Sequence, residues 1–415
     1  MSDFKKMYRQ FQDDPFSPVM EMSFIDGGQR QTLMFEKAAW NIGGEEKGLR
    51  YGENPDQPAA LYKMVNGNLT IGGVSSILPG KYLASDIELL KSGKHPGKIN
   101  ITDVDNSLNM LRYFSDVPCA VVVKHNNPSG VAKGSTIEDA YRKALMADRV
   151  AAFGGAVALN RTVDTATAQA ISESYIEVVA APDFESGAMA IFEKNKNIRV
   201  MKIANIDKLE TFIGERFIDI KSLIDGGMIV QWSYVPKKLT KDSLVLAETV
   251  YKGTSYKVER EPEPAEIDDM IFGWYVESGI TSNSVIYVKN GITVGIGTGE
   301  QDRVGVADIA KDKAYKKLAD KICWEKYRTP FALLEDDLKR EEILNETKEA
   351  NGGLAGSVMV SDAFFPFRDG VDVGLKEGVR AIIQPGGSLR DFESIEACNE
   401  YGATMVYTGQ RSFKH

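Results

Sequence analysis

Short apolar runs alternate along this chain with stretches of helical periodicity. The run Cys119-Ala120-Val121-Val122-Val123 predicts a buried strand. Turn residues follow at 126–130, and residues 135–138 have the pattern of a capping box that opens a helix over 138–146. The same strand-then-helix order returns at 178–181, before a helix that begins near Glu185. This alternation predicts an α/β protein with layered sheets.

The C-terminal part keeps this order. Residues 285–288 and 293–297 predict a hairpin across Lys289-Asn290-Gly291. Further strands are predicted at 357–360, 381–384 and 404–407, and further helices at 371–377 and 391–401. The segment 260–264 holds two prolines and predicts a surface loop.

Length and composition limit the class of protein. With 415 residues, we expect two packed domains or one large composite domain. The net charge of −9 argues against a nucleic-acid-binding protein, although a phosphate needs only a local cluster of cations. The three cysteines are scattered, which predicts neither a disulfide framework nor a zinc site. Because we find neither a signal peptide nor a membrane-spanning run, we expect a cytoplasmic protein that binds no membrane.

Lys124 and His125 are the first candidates for chemistry. They stand at the carboxyl end of the valine-rich strand, the edge of an α/β sheet where ligands bind. Histidine is the usual proton shuttle near neutral pH, and a lysine can stabilise an oxyanion. The alternative is a solvated lysine beside a histidine that only bonds a turn carbonyl.

Four other segments combine residue types suited to a flat, anionic ligand. The loop 49–57 offers Arg, Tyr, Asn and Gln, and the alternative is a surface turn. In 281–303, glycines allow close backbone approach to a ligand and Arg303 offers a cation, but the spacing excludes a dinucleotide-binding fingerprint. Segment 361–369 combines three Phe with two Asp, although at least one Phe is expected in the core. The end, 411–415, carries Arg and Lys, with a frayed tail as the alternative.

Together these segments resemble one family. The motifs LRYGENPDQ, KHNNPSG, AAFGGAVALNRTVD, EVVAAP, GIGTGEQDRV, SDAFFPFRDGVD, IIQPGGSLRD and the end RSFKH occur in this order from Leu49 to His415. They are similar to the AICAR transformylase half of the bifunctional purine-biosynthesis proteins of the PurH family. The residues before Leu49 are too few to hold the IMP cyclohydrolase domain of those relatives, so we expect no cyclohydrolase activity.

The resemblance implies an AICAR transformylase fold of two cytidine-deaminase-like, three-layer α/β subdomains. We expect an N-terminal extension at 1–48, a first subdomain at 49–205 and a second at 206–415. The implied reaction transfers the formyl group of 10-formyltetrahydrofolate, a co-substrate, to the 5-amino group of AICAR ribotide in purine biosynthesis. The resemblance further implies a homodimer with sites at the subunit interface. It allows a structural potassium ion near the C-terminal segment and no catalytic metal.

Site residues follow from the resemblance position by position. Lys124 and His125 match the family's catalytic pair. The positions that match its nucleotide-binding residues are Arg50, Tyr51, Gly154, Glu177, Asn283, Arg303, Phe364, Arg411 and Phe413. The positions that match its folate-binding residues are Pro366, Phe367 and Asp369.

Two departures from the family pattern stand out. Asp56 replaces the usual histidine of LRYGENPHQ, and Ser129 replaces the usual cysteine of Asn-Pro-Cys-Gly. Asp56 supports one alternative function, a catalytically idle relative that binds nucleotide or folate. A zinc-dependent deaminase is a second alternative, but its H-x-E…P-C-x-x-C signature is absent from the sequence.

Overall fold

A computed structural model describes residues 10–415, and residues 1–9 of the predicted extension lie outside the described part. The described chain is a mixed α/β structure. Its strands are β1 Val19–Asp26, β2 Gln29–Ala38, β3 Trp40–Ile42, β4 Glu45–Lys47, β5 Leu61–Asn66, β6 Thr70–Ile71, β7 Val74–Ser75, β8 Glu88–Lys91, β9 Cys119–Lys124, β10 Asn127–Lys133, β11 Ala156–Leu159, β12 Val178–Ala181, β13 Arg199–Lys202, β14 Ile218–Ser222, β15 Met228–Trp232, β16 Val245–Leu246, β17 Glu248–Tyr251, β18 Thr254–Lys257, β19 Val285–Lys289, β20 Ile292–Gly297, β21 Val358–Ser361, β22 Ala381–Gln384 and β23 Thr404–Tyr407.

Helices connect many of these strands. They are α1 Lys98–Leu111, α2 Ile137–Ala147, α3 Arg149–Ala152, α4 Thr165–Ser172, α5 Ser186–Phe192, α6 Pro264–Glu277, α7 Arg303–Tyr327, α8 Asp337–Glu349, α9 Asp369–Leu375 and α10 Asp391–Glu400. Single 3₁₀ segments lie at Ala204–Phe212, Lys241–Ser243, Phe331–Leu333 and Asn351–Gly353.

The chain divides into two compact units whose segments interleave along the sequence. Unit 1 consists of the described residues up to Pro118 together with Gly154–Val235. Unit 2 consists of Cys119–Phe153 and Pro236–His415. The subdomain boundaries predicted at residues 48 and 205 stay predictions.

Unit 1 contains a four-stranded sheet and several antiparallel pairs. Strands β11, β12 and β13 run parallel, and β8 joins β13 antiparallel. The crossovers α4 and α5 connect the parallel strands, as a βαβ arrangement requires. Strand β2 pairs with both β1 and β5, so residues from the expected N-terminal extension form a sheet with residues 61–66. Strands β14 and β15 form a separate hairpin.

The strands of unit 2 follow the order β16-β23-β22-β21-β19-β20-β10-β9. Strands β21, β22 and β23 are parallel to one another, and the remaining pairs are antiparallel. All residues of β21 and β22 are buried, which agrees with their short, continuous apolar sequences. The core includes Tyr287, Met359, Phe365, Ile382 and Met405.

Most strands and helices predicted from the sequence are confirmed to within two or three residues, including the hairpin of β19 and β20. Two local predictions were wrong. The turn expected over 126–130 is limited to His125 and Asn126, because Asn127 already pairs with Lys124. The helix N-cap is Thr136, whose hydroxyl accepts from the N–H of Asp139, so the capping pattern lies one residue later than predicted.

All three cysteines are buried free thiols. Within residues 10–415, none of the helices is both long enough and apolar enough to cross a membrane.

Candidate functional site

The Lys124-His125 pair lies at the tip of a β-hairpin. Strands β9 and β10 pair with Lys124 opposite Asn127, which leaves His125 and Asn126 as a two-residue turn. Both turn residues have positive φ, +55° and +60°, as the tightest hairpin turns require. The valines before the turn are completely buried, whereas His125 is exposed. A rigid strand therefore presents the imidazole to solvent.

Hydrogen bonds hold both sides of this turn. Lys124 Nζ donates to the carbonyl oxygen of Phe153 at 2.8 Å. On the other side, Asn127 Oδ1 accepts from the N–H of Thr281 at 2.9 Å and from Thr298 Oγ1 at 3.2 Å. The hairpin tip is thus fixed to the segments that precede β19 and follow β20.

A buried carboxylate, Asp362, organises the neighbouring part of unit 2. It follows β21 and is completely buried. Its oxygens accept hydrogen bonds from Arg303, from the Ser282 hydroxyl and, at 3.1 Å, from the N–H of Ser284. Arg303 Nη2 donates in turn to Asn283 Oδ1 at 2.9 Å. The predicted nucleotide-binding residues Asn283 and Arg303 therefore lie together.

Glu277 is a second buried acid in this centre. It is completely buried at the end of α6, and its Oε1 accepts from Ser284 Oγ at 2.7 Å, while its Oε2 has no hydrogen-bond partner. Burial raises the pKa of the Glu277 carboxyl well above its usual range, and the nearby Asp362 adds to this increase. Within residues 10–415, no cluster of three or more His, Cys, Asp or Glu side chains is placed to hold a metal ion.

The chain end belongs to the same centre and is not frayed. The N–H of Ser412 donates to the carbonyl oxygen of Asp362 at 2.9 Å. Beside it, the guanidinium of Arg411 lies 4.1 Å from the centre of the Phe413 ring. Arg411 is exposed and Phe413 half-buried, so both side chains remain accessible to a ligand.

The predicted folate-binding residues lie on the segment between β21 and α9. Pro366, Phe367 and Asp369 are exposed, as is the predicted nucleotide-binding residue Phe364. Phe365 between them is completely buried, which confirms that one phenylalanine of the run belongs to the core. Two aromatic rings of this segment, those of Phe364 and Phe367, therefore remain at the surface, where an aromatic ring can contact a flat heterocycle.

The sequence suggested that the glycines of 295–299 allow a ligand to approach the backbone, but two of them instead allow a helix to pack against it. A Cβ atom on Gly295 would lie 2.3 Å from the carbonyl oxygen of Ala310, and one on Gly297 would lie 2.2 Å from that of Val306. Both glycines therefore allow α7 to pack closely on β20, and the interpretation that they approach a ligand was wrong. Gly299, with φ +71° and open space beside it, is the one that remains available.

Unit 1 holds a second group of predicted site residues around buried arginines. Arg50 is buried; its Nη1 donates to the carbonyl oxygen of Lys94 at 2.7 Å and its Nη2 to the Tyr51 hydroxyl at 2.8 Å. The guanidinium also lies 4.4 Å from the centre of the Tyr51 ring. Asp56, at the departure from the family motif, is exposed on the loop that follows.

Arg199 connects this pair to Glu177. It is almost completely buried, and its Nη1 donates to Glu177 Oε2 at 3.1 Å. The other carboxylate oxygen of Glu177 accepts from the Tyr175 hydroxyl at 2.9 Å. Gly154 is held beside them, because its N–H donates to the carbonyl oxygen of Tyr175 at 2.7 Å. Two buried guanidinium groups with a single carboxylate leave an excess of positive charge, which suits an anionic ligand.

His95 lies beneath this group. It is buried, with Nε2 bonded to the carbonyl oxygen of Gly48 at 2.7 Å and Nδ1 to Ser92 Oγ at 3.1 Å. Burial lowers the pKa of the imidazole to about 4, although the bond to Gly48 opposes this. His95 is therefore neutral near neutral pH and acts as a structural residue.

The structure brings the predicted residues together in two groups, one in each unit. Sequence reasoning missed Tyr175, Arg199 and Glu277, and it included Ser282 and Asp362 only as members of candidate segments, without their structural role. A signal existed for two of them, since Arg199 and Glu277 are single charges within apolar runs, where a charge is expected to have a partner.

The AICARFT/IMPCHase bienzyme family model matches residues 20–313 of the chain. The chain belongs to this family. The match begins at residue 20, within β1, so it also covers β2 to β4, which precede the first motif that carried the resemblance.

Individual relatives agree with this assignment. The chain is 39% identical over 368 residues to the bifunctional purine biosynthesis protein PurH of Persephonella marina. It is 37% identical over 367 residues to that of Caldicellulosiruptor saccharolyticus and 38% identical over 372 residues to that of Clostridium perfringens. Each alignment covers 88% of this chain, but the chain spans only 59%, 59% and 58%, respectively, of these relatives.

Proposed function

We propose that this protein transfers the formyl group of 10-formyltetrahydrofolate to the 5-amino group of AICAR ribotide in purine biosynthesis. The observation that carries the proposal is the hairpin tip, where a buried strand presents the exposed His125 beside Lys124. The membership of the chain in the AICARFT/IMPCHase bienzyme family supports this reaction.

In the proposed reaction, His125 acts as the base. The acceptor amine is a weak nucleophile, because its lone pair is delocalised into the imidazole ring of the ribotide. As the amine nitrogen attacks the formyl carbon, the neutral ring of His125 takes the amine proton. Lys124 stabilises the oxyanion that forms on the formyl oxygen. When the bond between carbon and N10 breaks, the protonated His125 returns a proton to N10, which releases tetrahydrofolate and formyl-AICAR ribotide.

The two groups of predicted site residues would bind the substrates. Each group contains a guanidinium that suits a phosphate, that of Arg50 in unit 1 and that of Arg303 in unit 2, and Glu177 is an acceptor for hydroxyl or amide donors. The proposal also assigns ribotide binding to Tyr51, Gly154, Asn283, Phe364, Arg411 and Phe413. The exposed Pro366, Phe367 and Asp369 contact folate.

The proposal includes a homodimer with its sites at the subunit interface, and a location in the cytoplasm. It also includes a structural potassium ion near the C-terminal segment, with no catalytic metal. The side chains fit a monovalent cation, because Glu277 and Asp362 are buried together with the single guanidinium of Arg303, and Glu277 Oε2 has no partner. Such an ion would favour the ionised form of Glu277, whose pKa burial raises, and no chemical step depends on it.

An absorbance assay tests the reaction. Purified protein is given 10-formyltetrahydrofolate with and without AICAR ribotide, and the release of tetrahydrofolate is followed. We expect release that requires the ribotide and that falls by about 10²- to 10⁴-fold in His125→Ala, with a comparable loss in Lys124→Ala. Lys143→Ala, which removes a surface ion pair with Asp139 on α2, is the matched control and should keep full activity.

Two outcomes would contradict the proposal. Ribotide binding without formyl transfer would indicate an idle binding protein, and Asp56→His would then be the next variant to assay. Near-normal turnover in His125→Ala would remove His125 from the mechanism.

A further inference from the structure

The penultimate residue of the chain contacts the turn that carries His125. Lys414 Nζ donates to the carbonyl oxygen of Asn126 at 3.2 Å and to that of Gly279 at 3.0 Å. Asn126 is the second residue of the turn and follows His125 directly. The ammonium group therefore joins the hairpin tip to the loop after α6.

The backbone of Lys414 is itself held in place. The N–H of Ser282 donates to the carbonyl oxygen of Lys414 at 2.9 Å, and the N–H of Lys414 donates to Ser282 Oγ at 3.2 Å. The same Ser282 hydroxyl donates to the buried carboxylate of Asp362. The ammonium thus extends from a fixed backbone position and does not belong to a loose tail.

The turn that Lys414 contacts has a conformation that is uncommon for residues other than glycine. Both His125 and Asn126 have left-handed φ values, and neither is a glycine. Histidine and asparagine adopt left-handed φ more readily than most residues, but two in succession still cost free energy, so surrounding contacts help to hold the turn. A cation on the carbonyl oxygen of Asn126 is one such contact, because hydrogen bonds to a charged donor are stronger than neutral ones.

We propose that Lys414 is a positioning residue for His125. By holding the carbonyl oxygen of Asn126, it fixes the turn and thereby the direction of the imidazole. This role rests on the proposed formyl transfer, in which a small displacement of the base slows proton removal but leaves the substrate contacts intact.

Kinetics of Lys414→Met test the proposal, since methionine matches the lysine side chain as far as Cε and removes only the charged ammonium group. We expect kcat to fall by about 10- to 100-fold, as for other displacements of a catalytic group, while the KM values of ribotide and folate stay within about two-fold. In Lys414→Ala, which leaves room for a small amine, methylammonium chloride should restore part of kcat by occupying the position of the lost ammonium, whereas tetramethylammonium at equal ionic strength should not. Lys414→Arg should keep more activity than Lys414→Met.

Lys237→Met is the matched control. Lys237 Nζ also donates to a backbone carbonyl near the chain end, that of Gly409 at 3.2 Å, but the side chain has no hydrogen bond to the His125 turn. This variant should keep the wild-type kcat and show no response to methylammonium. An unchanged kcat in Lys414→Met, or a loss that appears only as a higher KM and is not restored, would overturn the proposal.

A measurement independent of turnover separates this proposal from the proposed function. The chain has three histidines, so the imidazole C–H signals in an NMR spectrum are few, and His125→Gln identifies the signal of His125. We expect Lys414→Met and Lys414→Ala to move that signal, and methylammonium to return it in Lys414→Ala, even in a protein that transfers no formyl group. A His125 signal unchanged by Lys414→Met would refute the positioning role whatever the activity.

Discussion

Two of the three histidines show how position decides the role of a residue type. His95 and His125 both have left-handed φ values, of 56° and 55°. His125 is exposed at a hairpin tip, whereas His95 is buried with both ring nitrogens bonded. Because the Gly48 carbonyl can only accept, Nε2 of His95 carries the proton, and Nδ1 accepts from Ser92. Burial, which lowers the pKa of the imidazole, therefore keeps His95 as the neutral ring.

The neutral state of His95 predicts a loss of stability in acid. Its pKa is about 4 in the folded protein and about 6.5 when unfolded. As the pH falls through this interval the unfolded chain takes up the proton first, so stability declines below pH 6.5, by about 3 kcal/mol at pH 4. Urea denaturation of wild type and His95→Asn over this range measures the effect; asparagine also tolerates left-handed φ.

His95→Asn should be less stable than wild type at pH 7, and the difference between the two proteins should shrink as the pH falls. Subtracting the two curves cancels the titration of carboxylates that both proteins share. A difference that stays constant from pH 7 to pH 4 would contradict the neutral, buried state of His95.

At this scale the sequence indicated candidate residues more readily than the buried contacts that hold them. Lys124 and His125 were identified because a turn follows a valine run, and that local pattern persists in the fold. The ion pair of Arg199 with Glu177 and that of Asp362 with Arg303 were not predicted. Their partners lie 22 and 59 residues apart in sequence, respectively. A single sequence carries no information about such distant pairings.

At the scale of elements, the contact between β20 and the first turns of α7 determines where Arg303 lies. Arg303 is the first residue of α7, and Gly297 ends β20 against Val306 of the same helix. A methyl group on Gly297 would lie 2.2 Å from a backbone oxygen, which cannot move without the helix. The helix would therefore shift, and with it the guanidinium that bonds Asp362 and Asn283.

Gly297→Ala should lower the free energy of unfolding by about 1–3 kcal/mol, the usual effect of overpacking. It should also raise the KM of ribotide more than it lowers kcat, because Arg303 is moved and His125 is not. Gly48→Ala is the control, since its new methyl group would have only an ordinary contact of 3.4 Å with Asp14. Equal effects of the two substitutions, measured by denaturation and steady-state kinetics, would rule out this account of α7.

Elements were predicted well from the sequence where periodicity alone decides them. Strands β22 and β23 were predicted with their observed bounds, Ala381–Gln384 and Thr404–Tyr407. The role of Gly295 and Gly297 was not predicted from the sequence. A glycine that allows a helix to pack closely and a glycine that admits a ligand look the same in sequence. Only the position of α7 distinguishes the two.

At the scale of the whole molecule, the β14–β15 hairpin leaves apolar surface exposed. The register places Ile218, Ile220, Val230 and Trp232 on one face, with Met228 beside them. Val230 and Met228 are 43% and 60% exposed, and Ile224 at the turn is fully exposed. A two-stranded hairpin is only marginally stable alone in water, so this face is expected to be covered in solution. A second copy of the chain is the occupant that fits the proposed homodimer.

The double substitution Val230→Lys with Met228→Lys should therefore shift the protein from dimer to monomer. Burying a valine or methionine contributes about 1.5–3 kcal/mol, so losing both should raise the dimer Kd by at least about 100-fold. Sedimentation velocity at micromolar protein measures the shift, and specific activity should fall with it if the sites need both subunits. Gln231→Lys, on the opposite face of the hairpin, should leave the dimer intact. A monomeric wild-type protein would remove the homodimer from the proposal, whereas a lysine variant that remains dimeric would show that the subunits meet at another surface.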